Sequence, residues 1–168
     1  GVLGMAGSIF DNKTNAGATY LENKVDGVNT WRDNSVKQFG NRLEVQCLDE
    51  LCLIVKTSMA VRFDEKTFDH YHLYGADFCL QYLKAGYKNF AIDATCEHLS
   101  DGYSNLKNQK HREKYLEDTK KLVNKWKESF PQFRTMTAAY DTIRGEARLY
   151  TADVLIAEGY NWTPVIKI

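Results

Sequence analysis

The apolar residues near the start of the chain form a short run that is followed by a long polar segment. Val2 to Phe10 is apolar and is interrupted by Gly4 and Gly7, which predicts a buried strand that another backbone or a ligand can approach closely. Residues 11–40 are rich in Asn, Gly, Thr and Asp and show no sustained period. We interpret them as a long surface excursion between elements of regular structure.

Regular patterning returns at about residue 42. Residues 44–48 and 51–55 are apolar and partly β-branched, and the acidic pair Asp49 and Glu50 separates them. This pattern predicts two strands, or one strand that the acidic pair breaks. Residues 57–61 are interpreted as the start of a short helix.

The middle of the chain alternates helical and strand patterns. An amphipathic pattern opens at Asp77 and ends at Gly86, a residue that favours a helix C-terminus. Residues 89–93 then have the pattern of a short strand. A helix, a glycine and a strand in this order are typical of an α/β layer.

The last third of the sequence has mainly helical patterns. Residues 111–127 carry an apolar stripe at helical spacing, with charged residues on the other faces. Residues 137–158 are rich in Ala and predict a second helix, broken or bent near Gly145. Residues 162–168 predict a terminal strand.

Composition mainly excludes classes of protein. A length of 168 residues is typical of one domain, and the 22 basic and 22 acidic residues balance. A protein that coats nucleic acid needs a basic surplus, so we expect no nucleic-acid partner. No apolar run approaches the roughly 20 residues of a membrane span. The four cysteines contain no C-x-x-C pair, which favours a reducing, cytoplasmic setting.

Two side chains stand out as candidates for chemistry, and each has a simpler interpretation. Asp77, at the predicted helix start, is either an exposed carboxylate that can accept a proton or an N-cap. If it is a cap, Asn would replace it with little loss of stability. His98 follows a predicted strand, where an imidazole can ligate a divalent ion or hold a phosphate, or can lie in a surface turn.

Residues 107–128 contain eight basic and four acidic residues. This surplus is compatible with peripheral contact to the anionic headgroups of a membrane, and a solvated helix face accounts for it as well.

Residues 47–102, taken as one block, contain a specific series of segments. The segments are 48–56 (LDELCLIVK), 61–65 (VRFDE), 68–80 (FDHYHLYGADFCL), 85–87 (AGY) and 96–102 (CEHLSDG). This series resembles the acceptor-side half of GT-A-fold glycosyltransferases of the family-2-like kind, especially the subgroup related to a streptomycin-biosynthesis protein. Residues 1–8 are similar to the segment that follows the acidic metal-binding motif in the same enzymes.

The resemblance implies roles for individual residues. Asp77 matches the catalytic base of inverting members, which removes the proton of the acceptor hydroxyl as that oxygen attacks the anomeric carbon of a nucleotide sugar. Asp49 and Glu50 match a position near the donor sugar, although the subgroup often has Gly where this chain has Glu50. His72 and Tyr74, in the same motif, are expected to bind substrate.

The resemblance also implies a metal ion. His98 matches a residue that approaches the metal or the donor diphosphate. The divalent ion, manganese or magnesium, would offset charge on the departing diphosphate.

The expected fold is α/β, a partial GT-A-like (Rossmann-related) three-layer sheet with packed helices and a helical C-terminal tail. We divide the chain into an acceptor-side α/β region, 1–102, and a helical extension, 103–168. The donor-binding half of the family should precede Gly1, so we expect a C-terminal piece of a glycosyltransferase or a relative without that half. The expected partners are a nucleotide sugar and a glycan or other hydroxyl acceptor. The alternative is a non-catalytic module that binds a glycan or a protein.

Overall fold

The computed structural model describes residues 1–4, 6–9, 19–22, 42–92 and 104–168. Within them the strands are β1 (Val2–Gly4), β2 (Ala6–Ile9), β3 (Thr19–Glu22), β4 (Arg42–Val45), β5 (Cys47–Leu48), β6 (Leu53–Val55), β7 (Asn89–Ile92), β8 (Gln132–Arg134), β9 (Ala138–Asp141), β10 (Glu146–Leu149) and β11 (Val165–Lys167). The helices are α1 (Tyr74–Lys84), α2 (Ser104–Lys107), α3 (Gln109–Trp126) and α4 (Tyr150–Ala157). No helix in the described ranges is long and apolar enough to cross a membrane.

A mixed four-stranded sheet lies at the centre of the first half, with strand order β4-β7-β1-β6. β1 runs parallel to β7 and antiparallel to β6. Parallel neighbours require a crossover connection, and α1 lies within it and packs against β5 and β7. The predicted α/β class is therefore confirmed at this coarse level, as is the predicted strand at 89–93.

Asn89 joins several of these elements from inside the core, where it is fully buried. Its Nδ2 donates to the carbonyl oxygens of Gln46 at 2.9 Å and Cys79 at 3.0 Å, and its Oδ1 accepts from the Val2 N–H at 3.3 Å. One amide thus links β7 to β1, to α1 and to the residue between β4 and β5.

The predicted strands around the acidic pair are confirmed as β4, β5 and β6, and they divide between two sheets. β5 joins a three-stranded sheet of order β3-β2-β5. Gly7 in β2 allows the close approach that the sequence predicted, because a Cβ there would lie 2.8 Å from the carbonyl oxygen of Cys47. Of the predicted excursion 11–40, residues 19–22 form β3. The rest of that segment lies outside the described residues, as does the predicted domain boundary at residue 102.

The short helix predicted at 57–61 is wrong, because these residues form turns and irregular structure. The Met59 N–H bonds the Lys56 carbonyl, a single turn. Arg62 then donates Nη1 to the carbonyl oxygens of Met59 and Val61. These carbonyls are therefore engaged by a side chain instead of continuing a helical ladder.

The largest correction concerns the predicted helical tail. α3 confirms the helix predicted at 111–127, and β11 confirms the terminal strand, but 137–149 is a β-hairpin and only 150–157 of the predicted second helix is helical. β8 to β11 form an antiparallel sheet of order β11-β10-β9-β8. The Ala-rich composition concealed an alternation of period two that buries Ala138, Tyr140, Ala147 and Leu149.

An Ala substitution at Gly145, in the turn of this hairpin, should change the free energy of unfolding in one direction for a hairpin and in the opposite direction for a helix. Gly145 has φ +63°, and a Cβ there would lie 3.3 Å from the carbonyl oxygen of Ile168. We expect Gly145→Ala to lower the free energy of unfolding by roughly 1–2 kcal/mol, the cost of a left-handed conformation. In a helix the same change would raise stability by about 1 kcal/mol. Urea unfolding measures the difference.

Gly145→Asn is the matched control, because Asn tolerates the left-handed region. It should lose less stability than the Ala variant. A stabilising effect of Gly145→Ala would contradict the hairpin.

Candidate functional site

The acidic pair predicted from the sequence lies against the first turn of α1. Asp49 and Glu50 follow β5, and Asp49 Oδ1 accepts from the Leu51 N–H at 2.9 Å, which fixes the turn. Glu50 Oε1 accepts from the Gly75 N–H of α1 at 3.3 Å. The fold therefore brings together two parts of the motif that are separated by 25 positions in the chain.

Gly75 is what allows Glu50 to lie so close to the helix. A Cβ at this position would lie 2.7 Å from Glu50 Cγ and 3.2 Å from its Cδ. Leu73, the N-cap residue, has φ 65° and makes no side-chain cap. A buried leucine in this conformation is strained by about 1–3 kcal/mol, and this strain is retained where the start of α1 meets Glu50.

The Glu50 carboxyl has a shifted pKa. Burial, and then the charge of Asp49, raise its pKa from 4.5 to about 7, although backbone N–H groups at Glu50, Gly75 and Leu73 act in the opposite direction. Glu50 is therefore expected to populate both protonation states near neutral pH.

Tyr74 lies beside this acidic pair. Its side chain is half-buried, and its pKa is raised by burial and then by Glu50, Tyr71 and Asp49. Its ring meets the ring of Phe63 edge-on, with centroids 5.7 Å apart. A phenol and two carboxylates are thus close together at one end of α1, a set of groups that can hydrogen-bond hydroxyls.

Asp77 is also in the first turn of α1, but its surroundings differ from those of Glu50. Its side chain is 1% exposed. Oδ1 accepts from the Trp126 indole N–H at 2.8 Å, and Oδ2 accepts from Gln81 Nε2 at 2.8 Å. Lys125 Nζ lies 2.8 Å from Oδ1 and 2.9 Å from Oδ2. Both oxygens are therefore engaged by side chains, two of which come from α3.

The expectation that Asp77 opens and caps the helix is wrong. α1 begins at Tyr74, and the N-cap residue is Leu73. The three residues before Asp77 are already helical, so Asp77 lies inside the first turn and not at the cap position. Its carboxylate contacts α3. Its role as catalytic base is a separate matter and stays a prediction.

Lys125 joins Asp77 to a second carboxylate. Its Nζ lies 2.7 Å from Asp64 Oδ2, and the side chains of Lys125 and Asp64 are about a quarter exposed. The hydrogen bond from Lys125, followed by one from Thr67, holds the pKa of Asp64 well below its usual range. One ammonium thus bridges a buried and a partly exposed carboxylate.

His72, predicted to bind substrate, lies in a different cluster around Tyr115 of α3. The two ring centroids are 5.5 Å apart. Burial lowers the pKa of His72, and the charge of Asp118 opposes this shift. Tyr115 donates its hydroxyl to Thr137 Oγ1 at 2.7 Å. Within the described part of the chain His72 Nε2 has no hydrogen-bond partner.

Sequence reasoning missed the groups that engage the acidic residues. Gln81, Lys125, Trp126 and Gly75 were not among the candidate residues. The apolar stripe predicted over residues 111–127 includes Trp126, which is buried, but the stripe carries no information about the partner of its indole N–H. No local pattern could have identified that partner, because it lies 49 positions away.

His98 lies outside the described residues, so the predicted metal role stays a prediction. Among the residues that are described, no group of three or more His, Cys, Asp or Glu side chains could hold a metal ion. The predicted membrane contact likewise stays a prediction. Part of the basic surplus on α3 is engaged within the chain, since Lys114 and Lys121 both pair with Asp69 and Glu117.

No protein-family model matches this chain, and no curated protein matches it significantly.

The contacts of Asp77 predict that its replacement by Asn lowers the stability of the fold. Asp77→Asn removes the charge that Lys125 neutralises and turns one acceptor into a donor. We expect the free energy of unfolding to fall by roughly 1.5–3 kcal/mol, the usual value of a hydrogen bond to a charged group. Asp64→Asn, which changes the more exposed partner of the same lysine, should cost less than about 1 kcal/mol. Equal losses in urea unfolding would show that Asp77 does not anchor the helices.

The raised pKa of Glu50 predicts how stability changes with pH. Between pH 4.5 and about 7 the folded chain holds a proton on Glu50 that the unfolded chain has released. The contribution of Glu50 to stability therefore falls as the pH rises through this window. Glu50→Gln should be more stable relative to wild type at pH 8 than at pH 5. The control Glu44→Gln, on exposed β4 beside Lys88, should follow wild type at both values. Indistinguishable pH dependence in all three proteins would contradict the raised pKa.

Proposed function

We propose that this chain is the acceptor-side region of a GT-A-fold, family-2-like glycosyltransferase that transfers a sugar from a nucleotide-sugar donor to a hydroxyl acceptor. One observation carries the proposal. The 48–56 and 68–80 segments of the motif, which the resemblance assigns to one active site, meet where Glu50 contacts Gly75. The mixed sheet with α1 packed against it is compatible with the partial GT-A-like arrangement.

The chemistry of this turn suits a hydroxyl-rich substrate. Asp49 and Glu50 offer carboxylate oxygens, and Tyr74 offers a phenol that both donates and accepts. Inverting transfer also needs a carboxylate that removes the proton of the attacking hydroxyl. The resemblance gives this role to Asp77.

A divalent ion, if bound, would stabilise negative charge on the departing diphosphate. The described residues contain no group of side chains that fits such an ion. Only His98, on the resemblance, is assigned to it, so no step is derived through the metal.

The test is sugar transfer by the complete gene product that contains this chain. It is incubated with labelled uridine and guanosine diphosphate sugars, manganese and a panel of saccharide acceptors. We expect transfer with at least one pair of substrates. Tyr74→Ala should raise the acceptor KM about tenfold, which corresponds to about 1.4 kcal/mol of binding free energy.

Tyr87→Ala is the matched control, because Tyr87 is a partly exposed tyrosine beyond the other end of α1. Its KM should equal that of wild type. Glycan binding without transfer from any donor would refute the proposed enzyme and support the non-catalytic binding module.

A further inference from the structure

We propose that Glu50, and not Asp77, takes the proton from the acceptor hydroxyl. This inference rests on the proposed function and names the residue that performs its proton transfer. It reverses the assignment that the resemblance alone implies.

The contacts of Asp77 argue against a base at that position. A base must offer a lone pair to the incoming hydroxyl within hydrogen-bond distance. Asp77 is 1% exposed, and Trp126, Gln81 and Lys125 approach its two oxygens at 2.8–2.9 Å. An acceptor could reach it only by displacing the Lys125 ammonium, which would leave a buried carboxylate without its counter-charge, at a large energetic cost.

Glu50 meets the geometric requirement better. The Glu50 residue is half-buried at the turn after β5, whereas Asp77 is buried in the core. The Glu50 carboxyl accepts hydrogen bonds from backbone N–H groups, among them that of Gly75 at 3.3 Å, and these donors carry no charge. No Lys or Arg side chain in the described ranges forms an ion pair with it. Its contact with Gly75 fixes its position, because a larger residue there would push it away.

The groups that face Glu50 also suit a base that works near neutral pH. They are mainly acidic or neutral and come from the turn, from β5, from α1 and from α3: Asp49, Cys47, Tyr74, Cys79 and Tyr115. Burial, and then the charge of Asp49, raise the pKa of Glu50 to about 7. A general base is most effective when its pKa is close to the working pH.

The acceptor oxygen forms a bond to the anomeric carbon of a nucleoside-diphosphate sugar, and its proton passes to a Glu50 oxygen. The bond from the anomeric carbon to the diphosphate oxygen breaks, and the diphosphate leaves with that electron pair. Glu50 then releases the proton to solvent.

Asp77 has a positioning role in this scheme. It ties α1 to α3 and thereby holds Gly75 and Tyr74 in place beside Glu50. It does not touch the acceptor.

The experiment compares Glu50→Gln, Asp77→Asn and the control Glu44→Gln in the complete gene product, at a temperature where circular dichroism shows all of them folded. We expect Glu50→Gln to lower kcat by about 10²–10⁴-fold, the usual contribution of a general base, with little change in acceptor KM. Asp77→Asn should retain far more activity than Glu50→Gln. Glu50→Asp keeps a carboxylate and should therefore retain part of the wild-type activity. The pH profile of wild type should show an acid limb near pH 7 that Glu50→Gln lacks.

The outcomes separate this inference from the proposed function. No transfer by wild type means that the proposed function fails. If wild type transfers sugar and Glu50→Gln stays within threefold of it, or if Asp77→Asn loses more activity, the inference is overturned. A second readout needs no activity: ¹³C NMR titration of the glutamate carboxyls should show one group titrating far above the ordinary value. Loss of that signal in Glu50→Gln assigns it, and its absence from wild type contradicts the proposal.

Discussion

The buried Asp77 carboxylate is the interaction on which the arrangement around α1 depends. Removing a charge from water costs several kcal/mol, and this cost is offset only when the charge is paired and its lone pairs are filled. Trp126, Lys125 and Gln81 meet both conditions, and the first two belong to α3. The position of α1 is therefore coupled to that of α3, and any large movement between the helices would leave the carboxylate uncompensated.

This coupling places the acidic turn and the helix start beside each other. Once α1 is fixed, Gly75 leaves room for Glu50 against the first turn, and Tyr74 lies next to both carboxylates. Two acidic side chains close together thus have opposite environments. Asp77 is ionic and anchored, whereas Glu50 lies partly open with a raised pKa. Groups with strongly shifted pKa values are found preferentially at functional sites.

Local patterning predicted the elements whose signal is contained in a few consecutive residues. α3 and β7 were predicted almost to their ends, since a helical stripe and a short apolar run after a glycine are local features. The hairpin β9–β10 was missed. Its alanines have high helix propensity, and the pairing of Ala147 with Tyr140 across the turn overrides that propensity.

The sequence by itself determined which residue types are available and in what order. They are an acidic pair between two strands, a tyrosine, a glycine and an aspartate near a helix start, and a Lys-Trp pair at the end of a long helix. Only the tertiary structure decided their roles. Whether a carboxylate is a cap, an anchor or a candidate base depends on its burial and on the donors that reach it. The two donors from α3 are 48 and 49 positions away from Asp77 in the chain. Contacts over such separations exist only after the chain has folded, so no local pattern encodes them.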